Sequence, residues 1–356
     1  MCTHANPTWH DLAPDAQELI RSLWPEPSAR PEFVPGETPP AYEAERYTGI
    51  ADEASGEGTR RRSASGDDGR SRNLIFPPAP EPLPSPVVDD HTHMDLLDGE
   101  VEISAQDALD TGAAAGIGAI VQVGCDLKSS AYAVTAAETD PRVLAAVAIH
   151  PNEAPGVAAE GGLCDALHTL EDMAGSARVR AIGESGLDYF RTDEDGRDAQ
   201  RESFRLHIRL AKKLGLALQI HDRDAHDDVV AILREEGAPD RTVFHCYSGG
   251  PDLAEICNRN GWYMSFSGTV TFKNSHGIQE SLEMARPELI LAETDAPFLT
   301  PHPYRGRPNA SYMTNYTVRY MAERRGDDLA GLCDRIRENS LDVYGSWGIP
   351  GFDRGH

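Results

Sequence analysis

The chain has 356 residues, of which 40% are hydrophobic and 26% charged, the balance of a globular protein large enough for one barrel or two ordinary domains. Asp and Glu number 58 against 33 Lys and Arg, and the resulting charge of −25 excludes any general electrostatic grip on nucleic acid. No apolar run reaches the roughly 18 residues of a membrane-spanning helix, and the six cysteines form no Cys-x-x-Cys pair, which excludes zinc ribbons and thioredoxin-type sites.

Residues 1–86 read as an extension. They hold 14 of the 25 prolines, and from Ala51 to Asn73 alanine is the only apolar residue. Such a segment buries too little surface to offset its chain entropy, so residues 1–86 are expected to be disordered or loosely packed, either a dispensable extension or a peptide that straps onto the domain or an unknown partner. A short amphipathic helix is expected at Asp15–Leu23, and an extended polyproline-like strap at Pro77–Pro86. The start interleaves Asp11, Asp15, Glu18 and Arg21 with apolar residues, unlike a secretory signal. With thiols that a chain of this size does not need as staples, the expected location is cytoplasmic.

From Val87 the pattern turns regular. Strands are predicted at Val87–His91, Ala119–Gly124, Val143–Ile149, Val179–Gly183, Ala217–His221, Thr242–His245, Trp262–Phe266 and Leu289–Ala292. Helical stretches alternate with them at Ser104–Ala115, Ala131–Glu138, Gly162–Ala174, Arg197–Leu214, Ala225–Glu236, Asp252–Asn260 and His276–Ala285, and continue through Asn315–Ala322 and Leu329–Asn339. Strand-then-helix repeated eight times is the pattern of an α/β (β/α)8 TIM barrel, expected over residues 87–346 with a tail at 347–356. The competing doubly wound sheet usually carries a Gly-x-Gly-x-x-Gly turn after its first strand; here that strand ends in His91-Thr92-His93.

Barrel chemistry sits at the C-terminal ends of the strands. Those ends carry His91 and His93, then His150, Glu184 with Asp188, His221, His245, and Glu293 with Asp295. Imidazole and carboxylate suit Zn, Mn, Fe or Ni. His91 and His93, two apart in a strand, point the same way and can bind one ion. A carboxylate such as Glu184 can bridge two. A pair of ions about 3.5–4 Å apart would clamp the attacking and leaving oxygens of a phosphodiester.

These residues lie in motifs that resemble the TatD family of metal-dependent deoxyribonucleases, within the amidohydrolase-like barrels. The matching stretches are Asp90–His93, Ala148–Pro151, Ile182–Tyr189, Gln200 with Phe204, His221–Ala225, Phe244–Gly249, Glu293–Leu299 and Arg305–Asn309. The resemblance implies two divalent metal ions, with Mg, Mn and Zn all open. His91, His93, Glu184 and Asp295 would hold one ion, and Glu184, His221 and His245 the other. Asp295 would be the general base, and Glu184 and Asp295 the catalytic carboxylates. The implied activity is 3′-to-5′ exonucleolytic cleavage of single-stranded DNA, with RNA ends also open as substrate. Asn152, Ser185 and Ser311 depart from the family's usual residues, and none is an implied ligand.

Around this set, Arg223 is expected either to meet a substrate phosphate or to form a structural ion pair. Arg305 and Arg307 follow strand 8, where TIM barrels often bind phosphate. His150 is expected to lie behind the ligands or to face the substrate. Tyr247 is expected to stack on a base or to pack half-buried. Two rivals stand beside the nuclease. One is another ester or amide hydrolase, lactonase-like or an aminoacyl-tRNA deacylase; the other is a non-catalytic binding module. Several relatives of the first kind bridge their metals with a strand 4 lysine, where this chain has Glu184. The extension carries −6 and the remainder −19, so a short, metal-led contact with a strand end is expected rather than a grip on duplex DNA.

Overall fold

The computed structural model describes residues 60–65, 71–100 and 103–353. Eight parallel strands pair in chain order: β1 (Val87–Thr92), β2 (Ile117–Val123), β3 (Val143–Val147), β4 (Val179–Asp188), β5 (Ala217–Arg223), β6 (Thr242–Phe244), β7 (Tyr263–Phe266) and β8 (Ile290–Ala292). The ring closes just beyond β8, where Asp295 N–H donates to His91 O at 2.9 Å and His93 N–H donates to Ala296 O at 2.9 Å. The helices are α1 (Ala105–Ala114), α2 (Leu127–Thr139), α3 (Ala154–Ala159), α4 (Leu163–Met173), α5 (Glu194–Leu214), α6 (His226–Glu236), α7 (Pro251–Asn260), α8 (His276–Met284), α9 (Thr314–Arg325) and α10 (Leu329–Tyr344). The barrel expected from the sequence is therefore the observed fold. None of the helices among the described residues is long and apolar enough to cross a membrane.

Local chemistry sets the helix starts. Ser104 and Asp107 form a reciprocal capping box that opens α1, and Asp126 with Ser129 does the same for α2. The strands are buried on both faces, as parallel strands must be under a helical layer; all seven residues of β2 are buried. The outward side chains, among them Ile120, Val147, Ile182, Leu218 and Phe244, pack under the helices. His207 on α5 belongs to this layer. It accepts from Ile149 N–H at 3.0 Å and bonds Ser203 O at 2.7 Å, and burial pushes its pKa down to about 4, so it is a neutral core residue.

The lower interior is narrow, lined by Ala119, Ala146, Ala181 and Ala217 with Val121 and Val243. Trp347, Tyr344 and Phe352 fill it from below. A Cβ on Gly118 would meet the Phe352 ring at 2.6 Å, so that close approach requires glycine. Residues 347–353 are thus the floor of the barrel and not the tail expected from their position after the last helix.

Part of the extension, residues 60–65 and 71–86, is described. The helix expected at Asp15–Leu23 lies outside the described residues. The Pro-rich strap packs on the barrel with Phe76, Ala79 and Leu83 buried. Tyr312 and Tyr316 donate hydroxyl bonds to Pro77 O and Pro78 O at 2.6 and 2.8 Å, and Asn315 reaches Glu81 O at 2.8 Å. Within the stretch expected to lack order, Arg72 forms a two-pronged pair with Asp98 at 2.9 and 2.5 Å, and Arg62 donates to Pro297 O at 2.7 Å. A count of apolar residues misses this, because guanidinium groups fix the segment through carboxylate and carbonyl oxygens rather than by burial. The packed body therefore begins before residue 87.

Candidate metal centre

Most strand ends converge as the barrel geometry requires, and two ligand-bearing strands add a local irregularity. The β1–β2 register shifts between Asp89 and Thr92, and the β4–β5 register shifts between Ile182 and Ser185. Such bulges re-aim side chains next to active sites; here they flank His91 and Glu184. β4 runs on to Asp188, so Glu184 lies within the strand and not past its expected end at Gly183. Asp295 and Cys246 hold φ of 53° and 41°, the left-handed region where non-glycine residues are uncommon and where functional sites concentrate strain.

Glu184 is the centre of the site. Its Oε2 faces His91 Nε2 at 3.4 Å and His93 Nε2 at 3.8 Å. Asp295 Oδ1 completes that side, 3.4 Å from His93 Nε2 and 4.0 Å from His91 Nε2. Its Oε1 faces His221 Nδ1 at 2.6 Å, His245 Nε2 at 2.8 Å and His150 Nε2 at 3.3 Å. The other five residues expected as ligands therefore gather around the Glu184 carboxylate, and His150 joins them.

The donor set fits divalent ions. His93 turns Nδ1 to Val123 O at 2.9 Å, which leaves its Nε2 lone pair facing His91 Nε2 at 3.2 Å. Two ring nitrogens this close, flanked by carboxylate oxygens, are satisfied together by a cation. Burial, with the nearby His245 charge, lowers the His91 pKa and keeps it a neutral imidazole. Burial also opposes charge on His93, His221 and His245, but their neighbours outweigh it. Cys125 and Asp295 raise His93 well above its usual range, and Glu184 with Glu293 does so for His245. Asp188 and Glu184 push His221 up to about 9. Burial likewise opposes ionisation of Glu184 and Asp295, yet the surrounding imidazoles hold both carboxyls below their usual range. The carboxylates thus draw protons to the same nitrogens that would hold a metal, and metal binding must release them.

Two carboxylates that the sequence places at strand ends without a role as ligands, Glu293 and Asp188, stand behind the histidines. Glu293 Oε1 lies 3.2 Å from His245 Nδ1 and accepts from Cys246 N–H at 2.8 Å. Asp188 Oδ2 lies 3.3 Å from His221 Nε2 and accepts from Asn152 at 3.2 Å. Each makes a carboxylate–histidine pair that fixes the ring and raises its basicity. The one signal was position: Glu293 stands two residues before Asp295, and Asp188 four residues after Glu184. Replacing Glu293 by Gln keeps the acceptor oxygen and removes the charge. The expected result is a metal affinity about 10- to 100-fold lower with the fold intact, read by titrating metal into the variant.

His150 behaves differently from the other imidazoles. Its Nδ1 accepts from Asn152 N–H at 3.0 Å, so in the neutral ring Nε2 carries the proton and donates toward Glu184. Burial lowers its pKa and favours that neutral form. Its Nε2 nevertheless lies with Glu184 and His221 in a group close enough to hold an ion.

The remaining expected contacts divide. Arg223 stacks on Phe190, 3.9 Å from the ring centre, and makes no ion pair among the described residues. Arg305 is exposed and stacks on Phe272 at 4.4 Å. Arg307 is turned away: it donates to Ile75 O at 2.8 Å and Phe76 O at 2.7 Å, so its fork is occupied in holding the strap. Tyr247 is buried, with its hydroxyl on Gly250 O at 2.9 Å and its ring beside Phe266. That corrects the expected base stacking, since no face of the ring is open. Cys125 was not anticipated; its thiol lies 3.8 Å from Glu184 Oε2.

Comparison with known proteins agrees with this geometry. The sequence model of the family described as TatD related DNase matches residues 88–345. The metal-dependent hydrolase TatD of Mycobacterium tuberculosis is 42% identical over 267 residues, 73% of this chain and 98% of that protein. The metal-dependent hydrolase YabD of Bacillus subtilis is 36% identical over 254 residues, 71% of this chain and 97% of that protein. Among solved structures, the TatD homologue YJJV of Escherichia coli K12 shares the fold with a TM-score of 0.66 at 24% identity, over 73% of this chain and 98% of that one. A TatD family hydrolase from Entamoeba histolytica shares it with a TM-score of 0.63 at 18% identity, over 74% of this chain and all of that one. The barrel, the carboxylate-centred donor set and these matches place the chain in the TatD-related DNase family, as a metal-dependent hydrolase.

Proposed function

We propose that the chain hydrolyses phosphodiester bonds at the end of single-stranded DNA, releasing nucleotides in the 3′-to-5′ direction with two divalent ions, Mg, Mn or Zn. The observation that carries this reading is the division of Glu184: one oxygen serves His91, His93 and Asp295, the other His221 and His245. Two adjacent ions held this way would polarise a phosphoryl oxygen and make water nucleophilic near neutral pH.

The chain's own groups supply the rest. Asp295 is ionised and keeps 16% of its side-chain surface open, so it can accept the proton of an attacking water at Oδ1. His150 directs its Nε2–H at Glu184 Oε1 and so helps to hold the central carboxylate in place. Glu293 and Asp188 hold His245 and His221 in orientation. The −25 charge supports recognition of a strand end over a long duplex track. Five free thiols among the described residues support a reducing, cytoplasmic location.

The test is cleavage of an end-labelled single-stranded oligonucleotide by the full chain, with bound metal measured alongside. Stepwise shortening from the 3′ end, abolished by chelator and restored by Mn, is expected. Metal bound without cleavage of DNA or RNA would overturn the reading and move the substrate to aminoacyl-tRNA or lactone esters.

A further inference from the structure

Phe190 is placed where a nuclease needs an aromatic surface and a folded protein does not. It is 62% exposed, and only Met284 at 45% joins it among the large apolar side chains of the described residues. Its loop is firmly held. Phe190 N–H and Arg191 N–H donate to Asp188 Oδ1 at 3.1 and 2.9 Å, and Tyr189 N–H donates to Arg223 O at 2.9 Å. Tyr189 is fixed in turn by its hydroxyl bond to Asp228 and by Arg197, 4.3 Å from the ring centre. An exposed ring on so well anchored a turn has little conformational entropy left to lose on binding.

The ring also stands next to the metal centre. Asp188 pairs with Arg223 across β4 and β5, and Asp188 Oδ2 reaches His221 Nε2 at 3.3 Å. Phe190 lies two residues beyond Asp188, and Arg223 two beyond His221. The Arg223 guanidinium covers one face of the ring at 3.9 Å. Arg223 makes no ion pair among the described residues, so the cation stacked on the ring keeps its charge unneutralised on a strongly acidic chain. Aromatic face plus unpaired guanidinium is the arrangement that holds single-stranded nucleic acid, the base on the ring and the phosphate on the cation.

We propose that Phe190, backed by Arg223, is the stacking platform for a nucleobase next to the bond being cut, and so sets the preference for single strands carrying bases. This rests on the nuclease reading above. It assigns the role that Tyr247, being buried, does not fill.

The test compares two substrates of the full, Mn-loaded chain: a short single-stranded DNA oligonucleotide, and the same oligonucleotide with abasic residues at its last three positions. Wild type is expected to show a KM roughly 5- to 100-fold lower for the strand with bases, the range of one base–aromatic stack. In Phe190→Ala and Phe190→Leu that ratio falls toward one, while Phe190→Trp keeps it. The leucine variant separates stacking from apolar bulk. A wild-type ratio near one overturns the platform, as does an alanine or leucine variant that keeps the wild-type ratio. Failure of wild type to cut either strand overturns the nuclease reading itself, a different result from cutting both equally well.

Discussion

Replacing Glu184 by Gln is expected to remove both metal ions and lower kcat by roughly 100- to 1000-fold, the worth of several kcal/mol of metal-assisted activation. Glutamine keeps the shape and one acceptor oxygen but loses the charge and one of two donor oxygens. Among the described residues Glu184 is the only carboxylate with oxygens within 4 Å of both groups of imidazoles. His91→Ala gives the control, since His91 faces one oxygen of Glu184 only. That variant should lose one ion and keep the other. Metal analysis of the purified proteins reads both outcomes, and circular dichroism checks the fold. A Glu184→Gln protein that retains two ions, or more than about a tenth of the rate, would sink the bridging assignment.

The barrel and its donor set were legible for one reason. In a parallel barrel every strand end points to the same mouth, so residues scattered from 91 to 295 in the chain converge once the strands are placed in order. Strand order alone brought His91, His93, His150, Glu184, Asp188, His221, His245, Glu293 and Asp295 to one mouth; the resemblance to the family singled out His91, His93, Glu184, His221, His245 and Asp295 as ligands. Strand ends moved by a few residues, most at β4, where the bulge after Ile182 carries the pairing on to Asp188. Alternation alone does not reveal such a shift.

What stayed hidden depended on a partner far away in sequence. Arg307 follows β8 like a phosphate ligand, yet its guanidinium is taken by the carbonyl of Phe76, 231 residues earlier. Arg72 lies in a stretch without large apolar residues, yet it is fixed by Asp98. Tyr247 follows a ligand histidine, but its ring turns into the helical layer against Phe266. The supporting role of Glu293 required knowing which nitrogen of His245 faced it. Residue type and spacing place a group near a site; whether another group has already engaged it is tertiary information.

The floor of the barrel gives the second large effect. Trp347→Ala is expected to cost about 3–5 kcal/mol of stability, as for other buried large-to-small changes. Trp347 is 1% exposed, with edge-on contacts to Tyr344 at 6.1 Å and Phe352 at 6.0 Å between ring centres. Its carbonyl also accepts from Arg178 at 2.8 Å, which the substitution leaves in place. The surrounding alanines of β2 to β5 have no side-chain length with which to refill the space, so the cavity cannot collapse cheaply. The metal centre should be spared. Between it and the floor lies a polar layer in which Gln219 donates to Asp90 O at 2.9 Å and to the Tyr344 hydroxyl at 2.8 Å. The variant should therefore unfold at lower denaturant concentration while binding the same number of metal ions at native conditions. Denaturant titration with metal analysis separates the two. A loss below about 1 kcal/mol, the scale of an ordinary surface change, would mean that residues after α10 are a passive tail; a loss of metal at full folding would mean that the floor and the mouth are coupled through Tyr344 and Gln219.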